Sequence, residues 1–178
     1  MSDQLLRCTD EMELSPKHLG FCSLEVYPMT TRITNDQTLR DAIGQLSAVQ
    51  QRALAGKFVA SVEHLSADPR ISRAVQVASD PDLHPQEVEA AYKEVKSFAT
   101  QTYTACGRDA DWAAQAEHFV AAAAAASLAP DEPDESKGAW RAAMQARMAK
   151  NCEMILNNEG GLANESEKQY QLAEAFIP

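Results

Sequence analysis

The sequence predicts an all-α protein: a single-domain bundle of six or seven helices behind an extended N-terminal arm. Three observations predict it. From Asn35 onward, apolar residues recur at three- and four-residue intervals, the spacing of one helix face. Helix-start signals recur along the chain, at Asn35, Ser47, Asp68-Pro69, His84-Pro85 and Asn164. The composition is rich in alanine, with only seven glycines and 6% aromatic residues among 178, which suits packed helices better than a sandwich or barrel. No unit of about 30 to 45 residues repeats, so a solenoid is not expected.

Residues 1–34 read as the arm and 35–178 as the bundle. Ser2 can cap a short helix through Leu5 and Leu6, and Gly20 ends that region. In the following FCSLEVYP, Cys22, Leu24 and Val26 alternate with Ser23, Glu25 and Tyr27 until Pro28 stops the run. Period-two alternation predicts an extended segment, and no second strand is evident to pair with it. Its backbone groups need partners, which predicts an arm lying across the helices or onto a second subunit; a homodimer through the arm stays open.

The first bundle helix starts at Asn35 and aligns Leu39, Ala42, Ile43 and Leu46. Ser47 and Gln50 form a capping-box pattern, opening a helix with Leu54, Phe58, Val59, Val62 and Leu65 on its apolar face. Asp68 and Pro69 occupy the N-cap and first-turn positions of a third helix bearing Ile71, Ala74, Val75 and Ala78. His84-Pro85 opens the clearest stripe, Val88, Ala91, Tyr92, Val95, Phe98, Ala99, Thr102 and Cys106, with Gly107 as a natural stop. Asp109 or Asp111 starts the alanine-rich helix, WAAQAEHFVAAAAAASL, which ends before Pro130. On it Trp112, Ala116, Phe119, Ala123 and Ala126 share one side, so it is expected to be a central rod that neighbouring helices approach closely. After the DEPDES linker, a sixth long helix carries Trp140, Met144, Met148, Cys152, Ile155 and Leu156. Asn164 with Glu167 starts a terminal helix burying Leu172, Ala173 and Phe176.

A net charge of −10 disfavours nucleic acid and anionic membranes as partners, because phosphate neutralisation needs a surplus of Lys and Arg. The expected partner is another protein, with a basic surface. The linker carboxylates Asp131, Glu132, Asp134 and Glu135 are the candidate contact for it; otherwise they form an ordinary solvated turn. The start, MSDQLLRCTDEMEL, lacks the pattern of a signal peptide, and four scattered cysteines do not form a dense disulfide framework. The expectation is a cytoplasmic protein.

No HExxH, GxSxG, P-loop or GxGxxG pattern occurs, so no enzyme and no cofactor are expected. Gln115, Glu117 and His118 share the alanine-rich helix, but neighbours on a helix point in different directions, and His118 reads as a surface or hydrogen-bonded histidine. His64 and His84 read as capping or turn residues. Cys8, His18 and Cys22 are the weak metal candidates: His18 and Cys22 lie four apart, but a closed zinc site needs a fourth ligand. Cys106 and Cys152 both fall on apolar stripes and read as core thiols.

Cys106-Gly107-Arg108-Asp109 resembles the Cys-x-Arg-Asp chromophore motif of phycobiliproteins. That resemblance implies a tetrapyrrole held through a thioether at Cys106, with Arg108 on a propionate and Asp109 on pyrrole nitrogens; here Trp112 stands where the family has a tyrosine-rich sequence, and the ligand would lie between helices near Cys106 and Trp112. A second resemblance covers more of the chain. From about Phe58 onward, DPRISRAVQVA, PQEVEAA, the alanine-rich helices and ESEKQYQLAEAF resemble alanine-rich all-α bacterial immunity proteins of polymorphic toxin systems. It implies a rigid acidic surface that occludes a toxin, and no catalytic residues. A non-catalytic protein-binding module is therefore the leading expectation, and a tetrapyrrole or other apolar-ligand carrier the alternative.

Overall fold

A computed structural model of the chain describes residues 32–105, 111–130, 137–158 and 164–177; side chains at 104 and 105 are not included. Among them, seven α-helices pack together: α1 (Asp36–Gln45), α2 (Ala48–Ala60), α3 (Pro69–Ser79), α4 (Pro85–Ala105), α5 (Trp112–Leu128), α6 (Gly138–Leu156) and α7 (Glu165–Phe176). No strand forms among the described residues. The predicted arm falls almost wholly outside them. Of its last residues, Ile33 is 3% exposed, and its N–H donates to Glu174 Oε1 on α7 at 2.6 Å.

Local chemistry explains most helix starts. Asn35 accepts from the Thr38 N–H while Thr38 Oγ1 returns to the Asn35 N–H, and Ser47 and Gln50 do the same at α2. Asp68 caps α3 ahead of Pro69 and also holds Arg70 through two side-chain bonds of 2.8 Å. Asp111, not Asp109, caps α5, accepting from the Ala113 and Ala114 N–H groups. Asn158, at φ 52°, takes the left-handed conformation just beyond α6, which asparagine tolerates better than most residues.

Helix α5 is the central rod: it packs most extensively on α6, then on α4, and also meets α2 and α3. One core cluster joins Val59, Val62, Ile71, Val95, Phe98, Val120 and Ala124; a second joins Ile33, Leu39, Leu54, Phe58, Trp140 and Ala143. Helix α2 contributes to both, so its Leu54–Phe58–Val59 face ties the two halves together.

Several expected faces are corrected. Helix α2 stops at Ala60, and Val62 and Leu65 continue into a short 3-10 turn, Glu63–Leu65. On α5, Ala116 and Ala123 are buried, but Trp112, Phe119 and Ala126 are only half-buried, and Val120, Ala121, Ala124 and Leu128 form the inner face. On α6, Met148, Ile155 and Leu156 are 44%, 49% and 48% exposed, and Met144 is half-buried. Ala139, Ala142, Ala143, Ala146 and Ala149 point inward instead. Trp140 and Cys152 of the expected stripe are buried, but elsewhere small side chains admit the closest approach to α5, so Met148, Ile155 and Leu156 are turned outward. On α7, Ala173 is buried, whereas Leu172 and Phe176 are half-buried at its edge. Buried beside Ala173 are Glu165 and Gln169.

Candidate functional site

Helices α4 and α6 flank α5, both running antiparallel to it, and they stand apart on one side of it. Two concavities of about 510 and 450 Å³ open there, and both are bordered by Tyr92 and Ala129, so they form one trough. Ala122, Ala125 and Ala126 of α5, with Ala129 just beyond its end, make its floor. One wall is a single stripe of α4: Pro85, Val88, Tyr92, Lys96 and Ala99. The other is the first half of α6, with Trp140, Arg141 and Met144. The α4 stripe alone runs about 21 Å at 1.5 Å per residue. The trough is thus mostly apolar, floored by small residues and long enough for several helical turns.

Its charge differs from that of the chain. Among the described residues, four basic side chains, Arg52, Lys93, Lys96 and Arg141, border it, with one acidic side chain, Glu89; the carboxylates of 131–135, between the bordering Pro130 and Gly138, lie outside those residues. Lys93 pairs with Glu89 at 2.7 Å on the exposed rim. Lys96 stands 5.2 Å from the centre of the Tyr92 ring on the α4 wall, and Arg141 rises from the α6 wall. A cation therefore sits on each side of the alanine floor. Near the Pro130 end, Gln51 is 6% exposed; its Nε2 donates to the Leu46 carbonyl, and its Oε1 has no hydrogen-bond partner among the described residues. Arg52 reaches away to donate to the Asp80 carbonyl at 2.8 Å.

No protein-family model matches the chain, and neither a curated protein nor a solved structure matches it. The reading of the site rests on its own geometry.

Of the residues singled out from sequence, Trp112 is described: it opens α5 and is half-buried. Cys106, Arg108 and Asp109 lie outside the described residues, as do Cys8, His18 and Cys22. Asp131, Glu132, Asp134 and Glu135 also lie outside them, but residues on either side of that linker, Pro130 and Gly138, border the trough. No group of three or more His, Cys, Asp or Glu suited to a metal forms among the described residues. No helix among them is long and apolar enough to cross a membrane.

The three described histidines sit in hydrogen-bonded settings. His118 Nδ1 lies 3.2 Å from Thr102 Oγ1, between the rings of Tyr103 and Phe119. Burial lowers its pKa below the ordinary histidine value, favouring the neutral ring. His64 bonds Glu153 at 2.9 Å, and His84 Nδ1 accepts from the Gln86 N–H ahead of α4.

Sequence reasoning missed the trough because its walls are apolar at helical spacing. Val88, Tyr92 and Ala99 belong to the stripe read as core, yet each is half-buried; Ala91, Val95, Phe98 and Thr102 are the part that is buried. Period alone cannot divide such a stripe between a core and a groove.

Proposed function

We propose that this chain is a non-catalytic protein-binding module that receives a helical segment of another protein in the trough between α4 and α6. The observation that carries the reading is the trough itself: an alanine floor between two helical walls, with a cation on each wall. Small floor residues let an incoming backbone come close, and Tyr92, Val88 and Met144 offer apolar contact at its sides. The bound segment is amphipathic, with an apolar face toward the alanines and acidic residues toward Lys96 on the α4 wall. A toxin inhibitor of the immunity type is the specific form suggested by the sequence resemblance. In that form the acidic exterior meets the toxin's basic surface while one toxin helix enters the trough.

The test is comparative capture from an extract of the source organism, using the tagged chain and two variants. Ala122→Trp fills the trough at a floor position that belongs to neither core cluster; Gln76→Trp places the same bulk on an exposed part of α3. A specific protein is expected with the parent chain and with Gln76→Trp, and depleted at least about tenfold with Ala122→Trp, a loss of about 1.4 kcal/mol in binding. Equal recovery on all three baits, or no specific protein on the parent, overturns the reading.

A further inference from the structure

We propose that the Pro130 end of the trough is a binding site for a small uncharged ligand with an apolar body and a primary carboxamide head. The site is separate from the alanine floor that receives the partner's segment, and it stands whether or not that segment binds.

This end is a concavity of about 510 Å³, within the range of about 300–1,000 Å³ typical of small-molecule pockets. Val88 and Tyr92 of α4 and Leu128 of α5 supply apolar contact for the body of a ligand. Ala122, Ala125 and Ala126 border only the neighbouring concavity.

The head group follows from the hydrogen-bonding capacity left over in the lining. Gln51 is 6% exposed and Ser127 is 5% exposed. Both use their donors within the fold: Gln51 Nε2 donates to the Leu46 carbonyl at 2.9 Å, and Ser127 Oγ to the Ala124 carbonyl at 2.8 Å. The Leu46 bond also fixes which way the Gln51 amide faces, since a flip would set two oxygens against each other. What remains on each side chain is an acceptor. Gln51 Oε1 meets no donor among the described residues, and Ser127 Oγ keeps its lone pairs. Arg52 is the reverse case. Its Nη2 donates to the Asp80 carbonyl at 2.8 Å, while its Nε is buried and meets no acceptor among the described residues.

Two oxygens without a donor and one N–H without an acceptor therefore belong to side chains of one pocket. Buried polar atoms left unmatched are costly, so such a pocket selects the group that matches them. A primary carboxamide has two N–H donors and one carbonyl acceptor, the complement of that set. A carboxylate brings no proton to Gln51 or Ser127, and Lys93, which would attract it, is paired with Glu89 at 2.7 Å. A ketone or ester meets Arg52 alone.

The test titrates the full chain, carrying labelled leucine and valine methyl groups, with octanamide, with the methyl ketone of the same shape, and with octanoate. Octanamide is expected to shift the methyls of Val88 and Leu128 while those of Val59 and Val62, deep in the core, stay in place. It should bind about tenfold more tightly than the ketone or octanoate. Gln51→Leu should bring amide and ketone to within about threefold of each other, and Ser127→Ala should narrow the gap in the same direction. The ratio is the reading because Gln51→Leu also frees the Leu46 carbonyl, and any loosening of the packing weakens both ligands alike. Equal binding of amide and ketone to the parent chain overturns the proposal, as does tighter binding of octanoate. So does an amide preference that survives Gln51→Leu, or no shift at Val88 and Leu128 with any of the three. The capture experiment remains a separate matter: Ala122 lies outside this pocket, so a partner lost on Ala122→Trp stands whichever ligand binds here.

Discussion

Gly138, the first residue of α6, lies against the carbonyl of Ala126 on α5: a β-carbon on Gly138 would stand 2.7 Å from that oxygen. The oxygen is helix backbone and cannot yield without moving α5. This contact sets the spacing of the two helices at the end where the trough opens. Gly138→Ala is expected to destabilise the fold by about 1–3 kcal/mol, the usual cost of forcing an added methyl into a packed contact. Gly44, inside α1, has nothing within 4 Å of the same ideal position, so Gly44→Ala should be neutral or stabilising by about 0.5–1 kcal/mol. Urea unfolding of the two variants beside the parent chain checks both signs.

Gln169 is fully buried on α7 and satisfied at both ends, accepting from Arg147 Nε at 2.7 Å and donating to the Ala143 carbonyl at 2.9 Å. Arg147 also donates to Asp36 on α1 at 2.8 Å, where Tyr170 Oη adds a bond of 2.7 Å. The terminal helix is thus keyed to α6 and α1 by one polar network. Gln169→Met keeps the volume but strands a donor and an acceptor, and should cost on the order of 2–4 kcal/mol. Equilibrium denaturation gives the magnitude, and a loss below about 0.5 kcal/mol, the usual range for an uneventful surface change, would mean the network is not holding α7.

Two carboxylates predict opposite pH dependences. Glu165 is 7% exposed; burial raises its pKa above the ordinary glutamate value, and Lys168, Ser61, Lys150 and Arg147 only partly oppose this. Because the fold favours its protonated form, its contribution is complete below the ordinary glutamate value and is lost as pH rises through the raised one. Glu165→Gln should therefore be more stable than the parent near neutrality, with the advantage shrinking on acidification. Asp68 is held low, first by its hydrogen bond from Arg70, and its contribution is present above the ordinary aspartate value and lost as pH falls through the lowered one. Asp68→Asn should cost roughly 1 kcal/mol or less near neutrality and converge with the parent in acid. Denaturation midpoints across a pH series decide both.

The helices were legible because their caps are local chemistry. Asn35 with Thr38, Ser47 with Gln50, and Asp68 with Pro69 are satisfied within a single turn, so their meaning survives without tertiary context. Which face turns inward was less legible. On α6, Trp140 and Cys152 of the expected stripe are buried, but its Met144, Met148 and Ile155 compete at the same helical period with Ala139, Ala142, Ala146 and Ala149, and hydrophobicity favours the larger residues. The close approach of α5 selects the alanines along most of that face, because small side chains allow it. The trough follows from the same choice: close α5–α6 packing turns Ala122, Ala125 and Ala126 toward a gap that α4 does not close. Those contacts join residues some 10 to 40 positions apart, beyond the range of any pattern read along one helix.

Whether the trough receives another protein can be read by crosslinking from its two walls. A photoreactive phenylalanine analogue placed at Tyr92 or at Met144, one on each wall, is compared in living cells with the same analogue at Gln76 on α3. Both wall positions should give a covalent adduct with the same partner protein, and Gln76 should give none. Adducts of equal yield from all three positions, or none with another protein from either wall, would contradict a partner in the trough.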